Sequence, residues 1–382
     1  MCVALLVLAH NEGTLAGGFD RFDQSIDLLF DPGTVVIDVA GSFVFPSRRF
    51  ETVNGVKESV KISPDTFQPS INIKFAPFAN TACLASYREP FSSEVHFGST
   101  WSQARTVVER SLKVEEIGLT CSYRLQAGTG YLRIIGGATK DFATTHEEAL
   151  LTLPNTAMVR PAADLEGSAI GWRAGLGYEL PSSPLRLTVM YYSPIDFTAQ
   201  GAFHQLPVGP NAVLAMVPIH SSASIPQIVE ATLQFPVAVN WLNAISVRWA
   251  DWSVWTRIPV ITSAATGPIP AGRELAAYNA FFQDGWTISN TISHQWSESL
   301  RVAMRLSWDR GVSTGWTEHT DTWSANFGAT YKLTDNLELI GAVGVSLLTA
   351  GEINKKAHGG AYNATFGDDV SVSARAGLRV RY

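Results

Sequence analysis

The sequence predicts an all-β fold: a closed antiparallel transmembrane β-barrel of about fourteen strands with a short N-terminal plug. Three observations carry this. The chain ends in a long, strictly alternating segment. No apolar run is long enough for a membrane helix. Long and short connections alternate between its extended segments.

Residues 369–382 read DVSVSARAGLRVRY. Val370, Val372, Ala374, Ala376, Leu378, Val380 and Tyr382 share one face of a strand, and Ser371, Ser373, Arg375, Gly377, Arg379 and Arg381 the other. A soluble strand averages about 5–6 residues, whereas an outer-membrane strand needs about 9–11. An arginine on the lipid face at the bilayer midplane costs about 2–4 kcal/mol. The apolar face is therefore assigned to lipid and the arginines to a wet interior. The terminus also resembles the C-terminal signal read by the outer-membrane assembly machinery, with Gly377, Val380 and a final Tyr382. That machinery is an expected partner, together with outer-membrane lipid and lipopolysaccharide.

Charged residues make up 16% and hydrophobic residues 46% of the chain, yet no apolar stretch reaches the roughly 18 residues of a membrane helix. A net charge of −6 argues against nucleic acid as a partner. The three cysteines have no CxxC spacing, so neither a zinc site nor a disulfide framework is indicated, and Cys83 and Cys121 read as small apolar residues. Residues 3–9 (VALLVLA) resemble the core of a secretory signal, with Thr14-Leu15-Ala16 as a cleavage site. Residues 1–16 are read as a signal remnant, 17–33 as the plug and 34–382 as the barrel.

Alternation places strands at 34–45, 70–77, 80–91, 105–125, 130–140, 168–180 and 185–203, then at 226–235, 241–257, 282–296, 300–309, 322–333, 337–348 and 369–382. Connections after even strands are short and those after odd strands long, the pattern of periplasmic turns and extracellular loops. Backbone satisfaction in lipid then requires the last strand to pair with the first. Trp241, Trp249, Trp252, Trp255, Trp286, Trp296, Trp308, Trp323, Tyr191 and Tyr192 fall near strand ends, where interfacial girdles sit.

Several stretches resemble the FadL family of outer-membrane transporters for long-chain fatty acids and other hydrophobic compounds. Residues 171–180 (GWRAGLGYEL) with 185–203 (LRLTVMYYSPIDFTAQGAF) are similar to a characteristic hairpin of that family, as are 231–236 (ATLQFP) and 249–255 (WADWSVW). The resemblance implies a location in the bacterial outer membrane and passive uptake of hydrophobic molecules by a monomer. It also implies an N-terminal hatch ending near Asp31-Pro32-Gly33, where Pro32 matches the family's Asn-Pro-Ala motif, and a third strand kinked near Ser86, Tyr87 and Pro90 to open a lateral gap. Pro90 fits a kink independently, because it cannot donate to a ladder.

A hydrophobic ligand needs apolar surface, worth about 0.8 kcal/mol per buried CH₂. Two long loops supply it: Leu150, Leu151, Leu153 and Met158 in one, and Leu206, Val213, Leu214, Met216 and Val217 in the other. In the family, extracellular loops form the capture groove. Cations for a carboxylate head group are Arg173, Arg305, Arg375 and Arg379, lumen-facing by alternation, and Lys140 at the outer end of strand five. No hydrolase or phosphate-binding motif is present, so no enzyme and no cofactor are expected. His146-Glu147-Glu148 has metal-ligand residue types but reads as a solvated loop, and no metal is expected. The alternative function is a general water-filled porin for small polar solutes.

Overall fold

The computed structural model describes residues 18–20, 26–154, 156–209, 211–358 and 360–382. The segment read as a signal remnant lies outside them. Eighteen hydrogen-bonded segments form fourteen barrel strands, because four strands are each interrupted once. We label them β1 (Val35–Pro46), β2 (Thr66–Phe75), β3 (Thr81–His96), β4 (Glu109–Ala127), β5 (Gly130–Glu148), β6 (Ala162–Glu179) and β7 (Arg186–Tyr192 and Ile195–Val208). There follow β8 (Val213–Ile225 and Ile228–Ala238), β9 (Trp241–Ala250 and Arg257–Thr262), β10 (Glu274–Asn279 and Gly285–Gln295), β11 (Leu300–Arg310), β12 (Thr322–Lys332), β13 (Leu337–Leu348) and β14 (Asp369–Arg381). Neighbours are antiparallel, and β14 pairs with β1 from Val36↔Arg381 to Pro46↔Ser371, so the sheet closes as expected.

The faces are as the arginine argument requires. On β14, Val372 and Leu378 are 46% and 49% exposed, whereas Ser373 and Arg379 are each 2% exposed. Lipid takes the first pair and the lumen the second.

The expected loops at 141–167 and 204–225 are largely strand, and that at 258–281 carries strand at both ends. β5 runs on to Glu148, β6 starts at Ala162, and β7 and β8 form one hairpin with Val208 opposite Val213. Above the bilayer the outward face meets water, so apolar alternation fades while the hydrogen-bond ladder continues. The loops after β1 and β13 form a four-stranded sheet over the barrel mouth, built from Arg49–Val53, Val56–Lys61, Gly351–Asn354 and Asn363–Phe366. It closes a cluster around Phe50, Trp101, Tyr362 and Phe366.

Two expectations are corrected. Cys83 and Cys121 form a disulfide, because the β3–β4 register sets them directly opposite each other at a Cα separation of 4.0 Å. Trp252 and Trp255 are not girdle residues. β9 breaks after Ala250 into a 3₁₀ turn at Trp252–Val254, and both rings are buried in the lumen at 0% and 6% exposure. Trp241, Trp286, Trp296 and Trp323 do face outward.

Candidate functional site

The plug, the third strand and a cavity above them form one site. Phe19 projects into a box of rings, with centroids 4.9 Å from Trp255, 5.6 Å from Trp252, 5.6 Å from Phe282 and 5.5 Å from His319. Gly18 precedes it at φ +78°, where a Cβ would lie 2.7 Å from the Trp252 ring, so only glycine fits. Asp20 forms a buried ion pair with Arg248.

β3 carries a bulge. Its pairing with β4 jumps from Arg88↔Glu116 to Phe91↔Val114, leaving Glu89 and Pro90 opposite Glu115. The inward parity shifts there: Leu84, Ser86 and Arg88 face in before it, Phe91 and Val95 after it. On the other side, the β2–β3 ladder stops at Ser70↔Arg88, although β2 begins at Thr66. Each strand has a proline at this point, Pro69 and Pro90, that offers no N–H. The plug takes the place of β2: Asp20 bridges to Phe91, and the Ser92 N–H donates to the Phe19 carbonyl at 2.9 Å.

Above Phe19 lies a cavity of about 190 Å³. Leu112, Val114, Leu165, Phe197, Ile258 and Trp255 give it apolar walls, and Arg110, Glu147, Tyr278, Glu318, Lys355 and Tyr362 a polar rim. Arg110 pairs with Glu147 at 3.2 Å and lies over the Tyr278 ring, while Lys355 lies over the Tyr362 ring, 4.9 Å from its centroid. Burial, reinforced by the Arg110 charge, pushes Lys355 down to about 8 against the pull of Glu318 and Glu147.

Below, buried charge crosses the lumen. Glu116 accepts from Arg88 at 2.8 Å and from Arg173 at 2.7 Å, and Asp38 accepts from Arg379 at 2.9 Å. The 3₁₀ turn Asp27–Phe30 plugs the periplasmic end, held by Arg186–Asp27 at 2.6 Å and by Arg133 and Arg186 against the Phe30 ring. Asp31 caps the Gly33 N–H at 2.9 Å and pairs with Arg381 at 2.9 Å, with Pro32 exposed between them.

The structure does not gather the proposed groove residues. Leu150 packs against the Trp101 cluster under the roof. Leu151, Leu153 and Met158 belong to a separate small hairpin in which Leu151 pairs with Val159, and Met158 is exposed. Leu206 and Val217 point inward around Val208, whereas Val213, Leu214 and Met216 are exposed on β8. Alternation sends Leu214 and Met216 to the face opposite Val217, while Val213 is exposed because it sits at the hairpin tip opposite Val208.

The head-group cations also divide. Arg173 pairs with Glu116, which Arg88 shares, and Arg379 pairs with Asp38. Arg375 bonds the Ser42 hydroxyl at 3.3 Å, and Arg305 is half-buried. Lys140 is not lumen-facing: its neighbours Thr139 and Asp141 are buried, and it shares the outward face with Phe142, bonding the Ser168 hydroxyl at 2.8 Å. Ser86 is buried below the bulge, and the Tyr87 hydroxyl donates to Glu115 at 2.5 Å. The sequence reading missed Arg110, which it placed in the strand at 105–125 without assigning it a face, and Lys355, which it left in the loop after 348. The unbroken inward parity from Val114 through Leu112 to Arg110 was the available signal.

The chain matches the family described as outer membrane protein transport protein (OMPP1/FadL/TodX) over residues 80–343, more than half its length. No curated protein matches it. It is similar in structure to a FadL homologue of Pseudomonas aeruginosa, 11% identical over 97% of this chain and 96% of that one, with a TM-score of 0.74. It is also similar to the toluene transporter TodX of Pseudomonas putida, 13% identical over 97% and 98% with a TM-score of 0.68. The toluene transporter TbuX of Ralstonia pickettii is 13% identical over 98% and 99% with a TM-score of 0.67. With its closed barrel and plugged lumen, the chain therefore belongs to the OMPP1/FadL/TodX family of outer-membrane transport proteins.

Proposed function

We propose that this protein carries hydrophobic molecules across the outer membrane by passive diffusion and releases them sideways between β2 and β3. The observation that carries the reading is a single juxtaposition. An apolar cavity of about 190 Å³ stands on Phe19, and Phe19 is hydrogen-bonded to β3 where the β2–β3 ladder ends. Straight descent from that cavity meets the Arg88–Glu116–Arg173 layer, and an apolar solute gains nothing by entering buried charge. The gap beside Pro90 leads instead towards lipid.

Substrates are small apolar or aromatic molecules and long-chain fatty acids, a carboxylate being met by Lys355 and Arg110 at the rim. The packed ring box and the pinned plug weigh against a water-filled porin. The test is uptake of labelled toluene and of a labelled long-chain fatty acid by cells lacking their own transporters, with assembly of this barrel confirmed. Uptake of either, with no permeation of small sugars, supports the reading. Sugar permeation without hydrophobic uptake would replace it with the porin.

A further inference from the structure

Among the described residues, Glu109, His146 and Glu148 place imidazole and carboxylate ligand atoms within 4.8 Å of one another. They lie at the extracellular ends of β4 and β5. On β5 Asp141 and Ala143 are buried and Phe142 is exposed, so by strand parity His146 and Glu148 fall on the outward side, with Glu109 opposite Glu148 in the ladder, and His146 also borders the cavity. His146 is four residues beyond the outward-facing Phe142, about 14 Å further along the strand at 3.4 Å per residue.

An imidazole and two carboxylates converge there. His146 Nδ1 lies 2.7 Å from an Asp164 carboxylate oxygen on β6. An ionised carboxylate only accepts, so Nδ1 carries a proton and Nε2 is left to hold either a second proton or a metal ion. That nitrogen faces an acceptor, Glu109 Oε1, at 3.3 Å. Two bonds of about 2.1 Å to a tetrahedral metal subtend an edge of about 3.4 Å, so this spacing fits a shared ion. Glu148 stands directly opposite Glu109 in the ladder, a like-charge pair that is unfavourable unless compensated. Arg160 offsets part of this by pairing with Glu148 at 2.7 Å, and His96 meets the other Glu109 oxygen at 2.9 Å. A proton on Nε2 would answer Glu109 alone, whereas a divalent ion answers both carboxylates.

We propose that Glu109, His146 and Glu148 bind one borderline transition-metal cation of the zinc class on the outward rim of the barrel. Imidazole with carboxylates suits such ions better than calcium or magnesium. Three protein ligands leave a coordination position for water or an external oxygen donor. Asp164 acts as the orienting carboxylate behind the histidine.

The test is calorimetric titration of zinc sulfate into the tag-free, detergent-solubilised protein at pH 7.5, with every variant checked for native circular dichroism. The expected result is one zinc per chain, abolished by His146→Ala and weakened about 10–100-fold by Asp164→Asn, the range for an outer-shell partner. His220→Ala and His294→Ala, which touch none of these residues, leave it unchanged. Absence of binding in the intact protein overturns the proposal, as does a zinc affinity untouched by His146→Ala or by Asp164→Asn. Hydrophobic uptake plays no part in this readout, so the two proposals stand or fall separately.

Discussion

Phe19 meets Trp255 edge-on with ring centroids 4.9 Å apart, and the two rings together form the floor of the cavity. Removing the plug ring should therefore open the box. Phe19→Ala is expected to destabilise by about 3–5 kcal/mol, the usual range for a buried phenylalanine, and to raise steady conductance in planar bilayers. A variant as closed as the parent would show that the floor lies elsewhere.

Asp20 and Arg248 form a buried ion pair between plug and β9. Asp20→Ala leaves Arg248 with Glu230 at 3.8 Å, and breaking a buried pair on one side costs about 3–5 kcal/mol. Urea unfolding should report that loss. Conductance should rise as in Phe19→Ala, and the double variant should conduct no more than either single one, because both release the same segment.

The bulge at Glu89–Pro90 gives a sharper test. Deleting Pro90 alone leaves one residue opposite Glu115 and keeps Phe91 and Val95 facing inward, since parity is restored by one position. The strand is then free to pair with β2 to its end. Folded barrel with hydrophobic uptake reduced at least tenfold is expected. Undiminished uptake would mean that solute leaves by another route.

Lys355 sets a pH dependence outside the membrane. Its folded-state value of about 8 lies below the ordinary 10.5, so between these limits the unfolded chain holds a proton that the folded chain lacks. Stability should thus rise with pH from about 8 to 10.5, the burial penalty being fully present below 8. Fatty-acid affinity should fall over the start of the same window as the cation is lost, while toluene affinity stays level. Lys355→Met should remove both trends, measured by thermal melting and by ligand fluorescence.

The barrel was legible because lipid imposes a two-residue rhythm on every strand it touches. β14 is the clearest case: Arg379 and Leu378 were assigned to opposite faces correctly from alternation alone. The same logic failed for β5, β7 and β8 above the bilayer, where water bathes the outer face and Leu214 and Met216 of β8 looked like loop residues. Trp252 was misplaced because a break in β9 turned it inward, which no periodicity records. Cys83 and Cys121 were left unpaired because their proximity depends on register rather than on spacing. Pro90 was informative at both levels, since a missing N–H disrupts a ladder wherever it falls.

The roof over the mouth joins the first and last hairpins of the chain: Thr52 pairs with Thr365 and Val53 with Ala364. Arg48 threads beneath it, donating to the Thr349 carbonyl at 2.7 Å and lying over the Phe366 ring. These contacts cannot exist until residues made last have met residues made first. The β1–β14 seam is thereby clasped from outside, whereas beyond Arg88 the β2–β3 ladder gives way to looser ties, the His96 N–H donating to the Ile62 carbonyl and Val95 packing under the roof. A nascent barrel would close at its seam and be locked there, so the finished wall would yield at one chosen joint and stay shut at the joint where it was sewn.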